Sequence, residues 1–141
     1  MNEKTKQYTN GKQEGSEIII EGSEGEPREY LAPVEYCEKL YPEMMTEFKR
    51  LQKEDYETFC KKQMDYGPGN ISLGTTLITE EEKKMSLTGL IIRMNDKVQR
   101  LLNLVIKTGR NPQNESITDA FGDLSVYGII SRVVSSSKWA K

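Results

Sequence analysis

The sequence contains no histidine. That absence removes Ser-His-Asp and Cys-His nucleophilic catalysis, His-ligated zinc and the metalloprotease motifs together. Cysteine is scarce: Cys37 and Cys60 are the two present, and both fall in helical patterns rather than in a close pair, which suits a reduced, cytoplasmic setting. No apolar run reaches the roughly eighteen residues of a membrane span, and no charged-then-apolar leader is present, so neither a span nor a signal peptide is expected. The formal net charge is -2, which disfavours a nucleic-acid binder driven by counterion release. Any chemistry must rest on carboxylates, lysine, arginine, tyrosine or a hard metal ion.

What is present reads as one domain's worth of chain, 141 residues, preceded by an arm. Residues 1–30 are dominated by Glu, Lys, Gly, Ser and Gln, too polar to offset ordering entropy, so a flexible arm is expected there. Within it Glu17-Ile18-Ile19-Ile20-Glu21 favours one short strand, able to pair alone or with a neighbouring subunit. Residues 31–141 form the helical domain. Pro42 suits a first helical position, and the segment to Asp65 puts Met45, Phe48, Leu51, Phe59 and Gln63 along one side.

Thr79 with Glu82 reads as a capping box for a brief helical turn, and Ser86 as the cap of the clearest helix, Leu87 to about Lys107. Leu87, Ile91, Met94, Val98, Leu101 and Val105 alternate by four and three and predict its buried face. Arg93, Asp96, Lys97, Arg100 and Asn103 then fall opposite. The run Gly109-Arg110-Asn111-Pro112-Gln113-Asn114 breaks the pattern, and a last helix is predicted from near Glu115 with Ile117, Ala120, Phe121, Leu124, Tyr127 and Ile130 as its apolar residues. The expected fold is all-α, an antiparallel bundle of three to four main helices.

Three polar constellations stand out. Asp65-Tyr66-Gly67-Pro68-Gly69-Asn70 joins two helical patterns; its glycines can take positive φ and expose N–H groups to an anion, with Tyr66 free to stack on a base and Asn70 to meet a base edge. The plainer alternative is a helix stop, with Gly67 at C′ and Pro68 beyond it. Glu115, Asp119 and Asp123 follow one another at spacings of four, an acidic stripe that is easiest to understand opposite a cation. Mg²⁺ suits such oxygen ligands; a neighbouring Lys and Arg face would also do, and Glu115 can simply complement a helix N-terminus. Arg93, Lys97 and Arg100 form a basic stripe with Asp96 embedded in it, suited to phosphates or to pairing with the acidic stripe.

The order of these segments resembles a family. Residues 61–72 (Lys61-Lys62-Gln63-Met64-Asp65-Tyr66-Gly67-Pro68-Gly69-Asn70-Ile71-Ser72) come first, then residues 87–97 from Leu87 to Lys97, then Arg100-Leu101, then Glu115 to Ala120 and Gly122 to Ile130. Over about residues 45–135 the chain resembles the nucleotide-modification-associated family (domain 1) of phages and bacteria. A more distant likeness is to the MazG-type all-α nucleoside triphosphate pyrophosphohydrolases, whose last core helix resembles Asp119 through Tyr127. Their preceding helix carries paired glutamates plus a third that hold Mg²⁺; the matching stretch here is Asn95-Asp96-Lys97-Val98-Gln99, which keeps one carboxylate and puts Lys97 where a metal ligand is expected.

The resemblance implies nucleotide-related work, and two chemistries stay open under it. One is a phage-type protein that binds or sequesters a small nucleotide, such as a cyclic immune-signalling nucleotide, without efficient turnover in the host cytoplasm. Its ligand-binding set would be Asp65, Tyr66, Gly67, Gly69, Asn70, Arg93, Asp96, Lys97 and Arg100. The other is a Mg²⁺-dependent pyrophosphohydrolase with Asp96, Asp119 and Asp123, and Glu115 nearby, around the metal. A third possibility is an adaptor in a modification complex, with the stripes serving as interhelical salt bridges. Thin helical layers favour a homo-oligomer, dimer or tetramer; a membrane or nucleic-acid partner is not expected.

Overall fold

Proline and glycine punctuate this chain where its helices begin and end. In the computed structural model, which describes residues 18–20 and 29–141, helices account for most of the described residues. The fold is all-α in its bulk, with a short antiparallel pair of strands, β1 (Ile18–Ile20) and β2 (Glu29–Leu31), in which Ile19 lies opposite Tyr30. Most of the expected N-terminal arm lies outside the described residues. The chain divides into two compact units, residues 1–49 and 50–141.

In the first unit α1 (Pro33–Leu40) opens on proline and is followed after Tyr41 by α2 (Pro42–Tyr66), whose first turns belong to this unit. Lys49 on α2 pairs with Glu38 on α1.

The second unit holds the rest of α2, the single turn α3 (Gly69–Ser72), α4 (Glu80–Leu101), a π-helical segment (Leu102–Thr108) and α5 (Ile117–Ser135). Thr79 and Glu82 form the capping box expected of them, the Thr79 hydroxyl accepting from the Glu82 N–H at 3.1 Å. The turn they cap is not brief: α4 runs unbroken through Ser86. Ser86 is therefore not a cap but a buried residue of the helix interior, its hydroxyl donating to the Ile71 carbonyl at 2.6 Å. A hydroxyl can cap only where backbone N–H groups are free, and six residues into a helix they are already bonded to the preceding turn.

The face of α4 that packs also differs in part from the one the spacing predicts. Of the expected face, Leu101 is buried, Leu87 packs against the core and Met94 is half-buried, whereas Ile91 and Val98 on α4 and Val105 on the π-helical segment are exposed, and Ser86, Leu90 and Lys97 turn inward instead. Two apolar stripes of similar spacing run along this helix, and periodicity alone does not say which one meets a neighbour. On α5 the expected face is largely the one that packs: Ala120 and Ile130 are buried and Ile117, Leu124 and Tyr127 half-buried, with Asp123 and Val134 joining them, and Phe121 alone of that set is exposed. The core is small: Ile71, Leu77, Leu90, Ile130, Val134 and Trp139, with Phe59, Leu87 and Tyr127 packed against it.

Trp139, near the end of the sequence, closes this core. Its ring meets Phe59 edge-on at 6.2 Å between centroids, and its indole N–H donates to the Pro68 carbonyl at 3.1 Å. The C-terminal segment thereby ties down the α2–α3 corner.

Candidate functional site

The glycine loop behaves as a helix stop. Gly67 has φ +64°, the left-handed C′ conformation, and its N–H returns to the Gln63 carbonyl at 2.8 Å. The N–H groups of Ile71 and Ser72 both turn back to the Pro68 carbonyl at 3.2 Å, so they do not point outward to an anion. Gly69 does not adopt positive φ, and a Cβ at Gly67 or Gly69 would meet nothing within 4 Å. Open space beside both glycines means that neither is demanded by a close backbone approach. Asp65 and Tyr66 are exposed at the end of α2.

Two of the expected ligand residues are joined here. Arg93 donates from Nη2 to the Asn70 carbonyl at 3.0 Å, tying α4 to the loop. The Asn70 side-chain Oδ1 is buried without a hydrogen-bond partner among the described residues. Of the two explanations for the loop, anchoring by Arg93 and Trp139 accounts for more of its contacts than an anion nest does.

One and two turns further along α4, the basic and acidic stripes meet. Lys97 Nζ lies 2.7 Å from Asp123 Oδ2 and 2.9 Å from Glu115 Oε2, while Lys62 Nζ reaches Asp123 Oδ1 at 2.9 Å. The side chains of Lys97 and Asp123 keep only 19% and 17% exposure, which places the pair within the α4–α5 packing. Arg100 donates to the backbone carbonyls of Ser116, at 3.1 Å, and Glu115. α5 begins at Ile117, so Glu115 stands before the helix rather than on its face. Asp119 is the third residue of a capping box: its carboxylate accepts from the Ser116 N–H at 2.9 Å, and the Ser116 hydroxyl accepts from the Asp119 N–H at 3.0 Å. The acidic stripe is thus divided between a cap and two lysines.

The protonation equilibria follow from that geometry. Hydrogen bonds to Asp123 and then Glu115, with their charges, raise Lys97 far above the ordinary lysine value despite an opposing desolvation. Lys62 is raised in the same direction, chiefly by its hydrogen bond to Asp123. Burial pushes Asp123 up, but the hydrogen bonds and charges of Lys97 and Lys62 outweigh it and hold the carboxyl below its usual range. Lys97, Lys62 and Asp123 therefore hold one another in their charged forms at neutral pH.

These residues do not fit the Mg²⁺ set that the sequence suggests. An ammonium bridges Glu115 and Asp123, Asp119 is committed to its cap, and among the described residues no three carboxylates or thiols group as metal ligands. Asp96 is exposed on α4 and takes no part in the cluster. Polar contacts continue along α5: Asp55 on α2 accepts from the Ser125 hydroxyl at 2.8 Å, and Gly122 leaves room for it, since a Cβ there would lie 3.3 Å from Asp55 Oδ1.

Sequence reasoning missed Lys62 and Ser116. Ser116 followed by Asp119 is a local capping signal that was available; Lys62 and Asp123 are 61 residues apart and carry none. Among the described residues no helix is long and apolar enough to cross a membrane. Comparison with protein families, curated proteins and solved structures finds no match to this chain.

Proposed function

We propose that this protein binds a small nucleotide and holds it without efficient turnover. The observation that supports holding over cleaving is Lys97. Its ammonium engages Glu115 and Asp123, two carboxylates that metal-dependent hydrolysis would need free. The nucleotide class comes from the resemblance of residues 45–135 to the nucleotide-modification-associated family, and a cyclic signalling nucleotide in a phage setting is one member of that class. On this reading the ligand lies along the basic stripe of α4, toward Arg100, while the glycine loop stops α2 and anchors Arg93.

The pyrophosphohydrolase alternative requires Mg²⁺ to displace Lys97 and recruit Asp96. Incubating the full chain with linear and cyclic nucleotides and Mg²⁺, then denaturing it and analysing the nucleotides, separates the readings. Tight binding with intact ligand recovered is the expected result; conversion to monophosphate and pyrophosphate overturns it. Absence of binding leaves the adaptor role, for which the interhelical ion pairs suffice.

We also propose that the chain acts as a homo-oligomer, its helices completed into a bundle by a second copy. Ile91, Val98 and Val105 recur every seven residues on the exposed side of α4 and its π-helical continuation, with Ile92, Leu102 and Ile106 beside them. A stripe at that spacing is suited to a facing helix.

A further inference from the structure

Beyond α4 the backbone widens into the π-helical segment Leu102–Thr108, which ends at Gly109 with φ +58°. π-Helical turns are rare and concentrate at functional sites. This one is held by the Thr108 hydroxyl donating to the Asn103 carbonyl at 2.8 Å. It walls one side of a concave surface of about 610 Å³, whose other side is the connector before α5. That volume is in the range of small-molecule sites.

The lining has an unusual chemistry. Arg100, Asn103, Arg110, Asn111, Gln113 and Asn114 supply two guanidinium groups and four amides, with no carboxylate among the described residues. Leu104 and Pro112 add a limited apolar surface on which a flat ring can rest. Arg100 is occupied, its guanidinium fixing the connector through the Glu115 and Ser116 carbonyls. Gln113 Nε2 donates to the Asn111 carbonyl at 3.3 Å. The Arg110 guanidinium has no bonded partner among the described residues, and the Glu115 carboxylate at the end of the connector is taken up by Lys97. An unpaired cation in a concavity without carboxylates favours an anion. Amides, which both donate and accept, suit the edge of a base.

We infer that this concavity is the nucleotide seat, with a phosphate on Arg110 and the base among the amides of Asn103, Asn111 and Asn114. Arg100 is a positioning residue that holds the connector wall in place. The inference rests on the nucleotide reading above and names where on that surface the ligand lies; Arg110, Asn111 and Asn114 were not among the residues expected from sequence to contact it.

The test titrates the full chain calorimetrically with mono-, di- and triphosphate nucleosides, cyclic dinucleotides and inorganic pyrophosphate, using wild type, Arg110→Glu and Tyr66→Ala. Amide NMR shifts map the contacts, and circular dichroism checks that each variant is folded. The expected result is a loss of nucleotide affinity in Arg110→Glu of about tenfold to a hundredfold, the worth of a charge-assisted contact. Tyr66→Ala should bind as wild type does. If Tyr66→Ala loses the nucleotide and Arg110→Glu keeps it, the nucleotide reading stands and this seat is overturned. If pyrophosphate alone binds and shifts residues 109–114, the anion site survives and the nucleotide reading falls. If no probe binds wild type, both fall. An additional variant, Asn111→Ala with Asn114→Ala, should weaken nucleotide binding but not pyrophosphate binding; equal effects on both would refute the amide role.

Discussion

Lys97 Nζ stands 2.7 Å from Asp123 Oδ2, with both side chains largely enclosed between α4 and α5. Of the two uses open to the basic stripe, phosphate binding and pairing with the acidic stripe, helix packing realises the second at Lys97 and makes it the centre of an interhelical junction. Removing one partner leaves the other charge poorly solvated. Lys97→Ala is therefore expected to destabilise the fold by about 1–3 kcal/mol, while Asp123→Asn, which keeps shape and part of the hydrogen bonding, should cost less. Urea unfolding monitored by circular dichroism measures both. Equal stability of Lys97→Ala and wild type would mean that the pair is incidental.

The same junction sets the pH response. Asp123 is held below its usual range, so its contribution is present at neutral pH and is lost as pH falls through the lowered folded value. Lys97 and Lys62 are raised, so theirs are complete below the ordinary lysine value of 10.5 and fade as pH climbs through the raised folded values. Between those limits this network should make stability flat with pH. Urea midpoints from pH 2 to pH 11 test this, and in Asp123→Asn the acid-side loss should shrink. An unchanged acid limb in that variant would assign the loss to other carboxylates.

Gly67 separates a helix stop from an anion cradle. Its φ of +64° is costly for any residue with a Cβ, yet among the described residues nothing stands within 4 Å of where that Cβ would be. Gly67→Ala should cost about 1 kcal/mol from the backbone alone, with nucleotide affinity unchanged. A loss of affinity larger than the loss of stability would restore the cradle.

Trp139 is the only tryptophan, and it is 8% exposed against Phe59 with its N–H on Pro68. Trp139→Ala is expected to cost about 3–5 kcal/mol through the cavity it leaves. Trp139→Phe should cost less, losing the hydrogen bond and part of the ring. Because the ring packs at the α2–α3 corner, its near-ultraviolet signal should vanish with the main unfolding transition. A signal that melts earlier would show that the C-terminal segment docks independently.

The exposed stripe of Ile91, Val98 and Val105 predicts self-association. Light scattering should give a mass at least twice that of one chain, and Val98→Glu should shift it toward the monomer without lowering helix content. A monomer at high concentration would remove the oligomer proposal and leave the stripe unexplained.

Some of this was legible in the residues. Pro33 and Pro42 open helices, Gly67 closes one, and Thr79 with Glu82 caps another; each involves neighbours within a turn, so the signal is local. Which stripe of α4 turns inward was not legible. Ile91 and Val98 share a stripe with Leu101 yet stay exposed while Leu101 and the neighbouring Leu90 are buried, and only the partner helix makes that choice. Asp119, credited from sequence with a metal, completes a cap with Ser116 three residues away, a local signal that lay in the residues themselves.

By itself, then, the sequence determined an all-α protein, the ends of α2 and the start of α5 but not the start of α4, and the chemistry left open once histidine is absent. The tertiary structure decided what those charged residues do. Lys97 and Asp123 are 26 positions apart, and Pro68 and Trp139 are 71 apart. No local rule encodes such meetings; they arise because α4 and α5 bury particular faces against each other. That burial sets an ammonium among the carboxylates a metal would have needed, and leaves the Arg110 guanidinium without a partner among the described residues in the open concavity beyond α4.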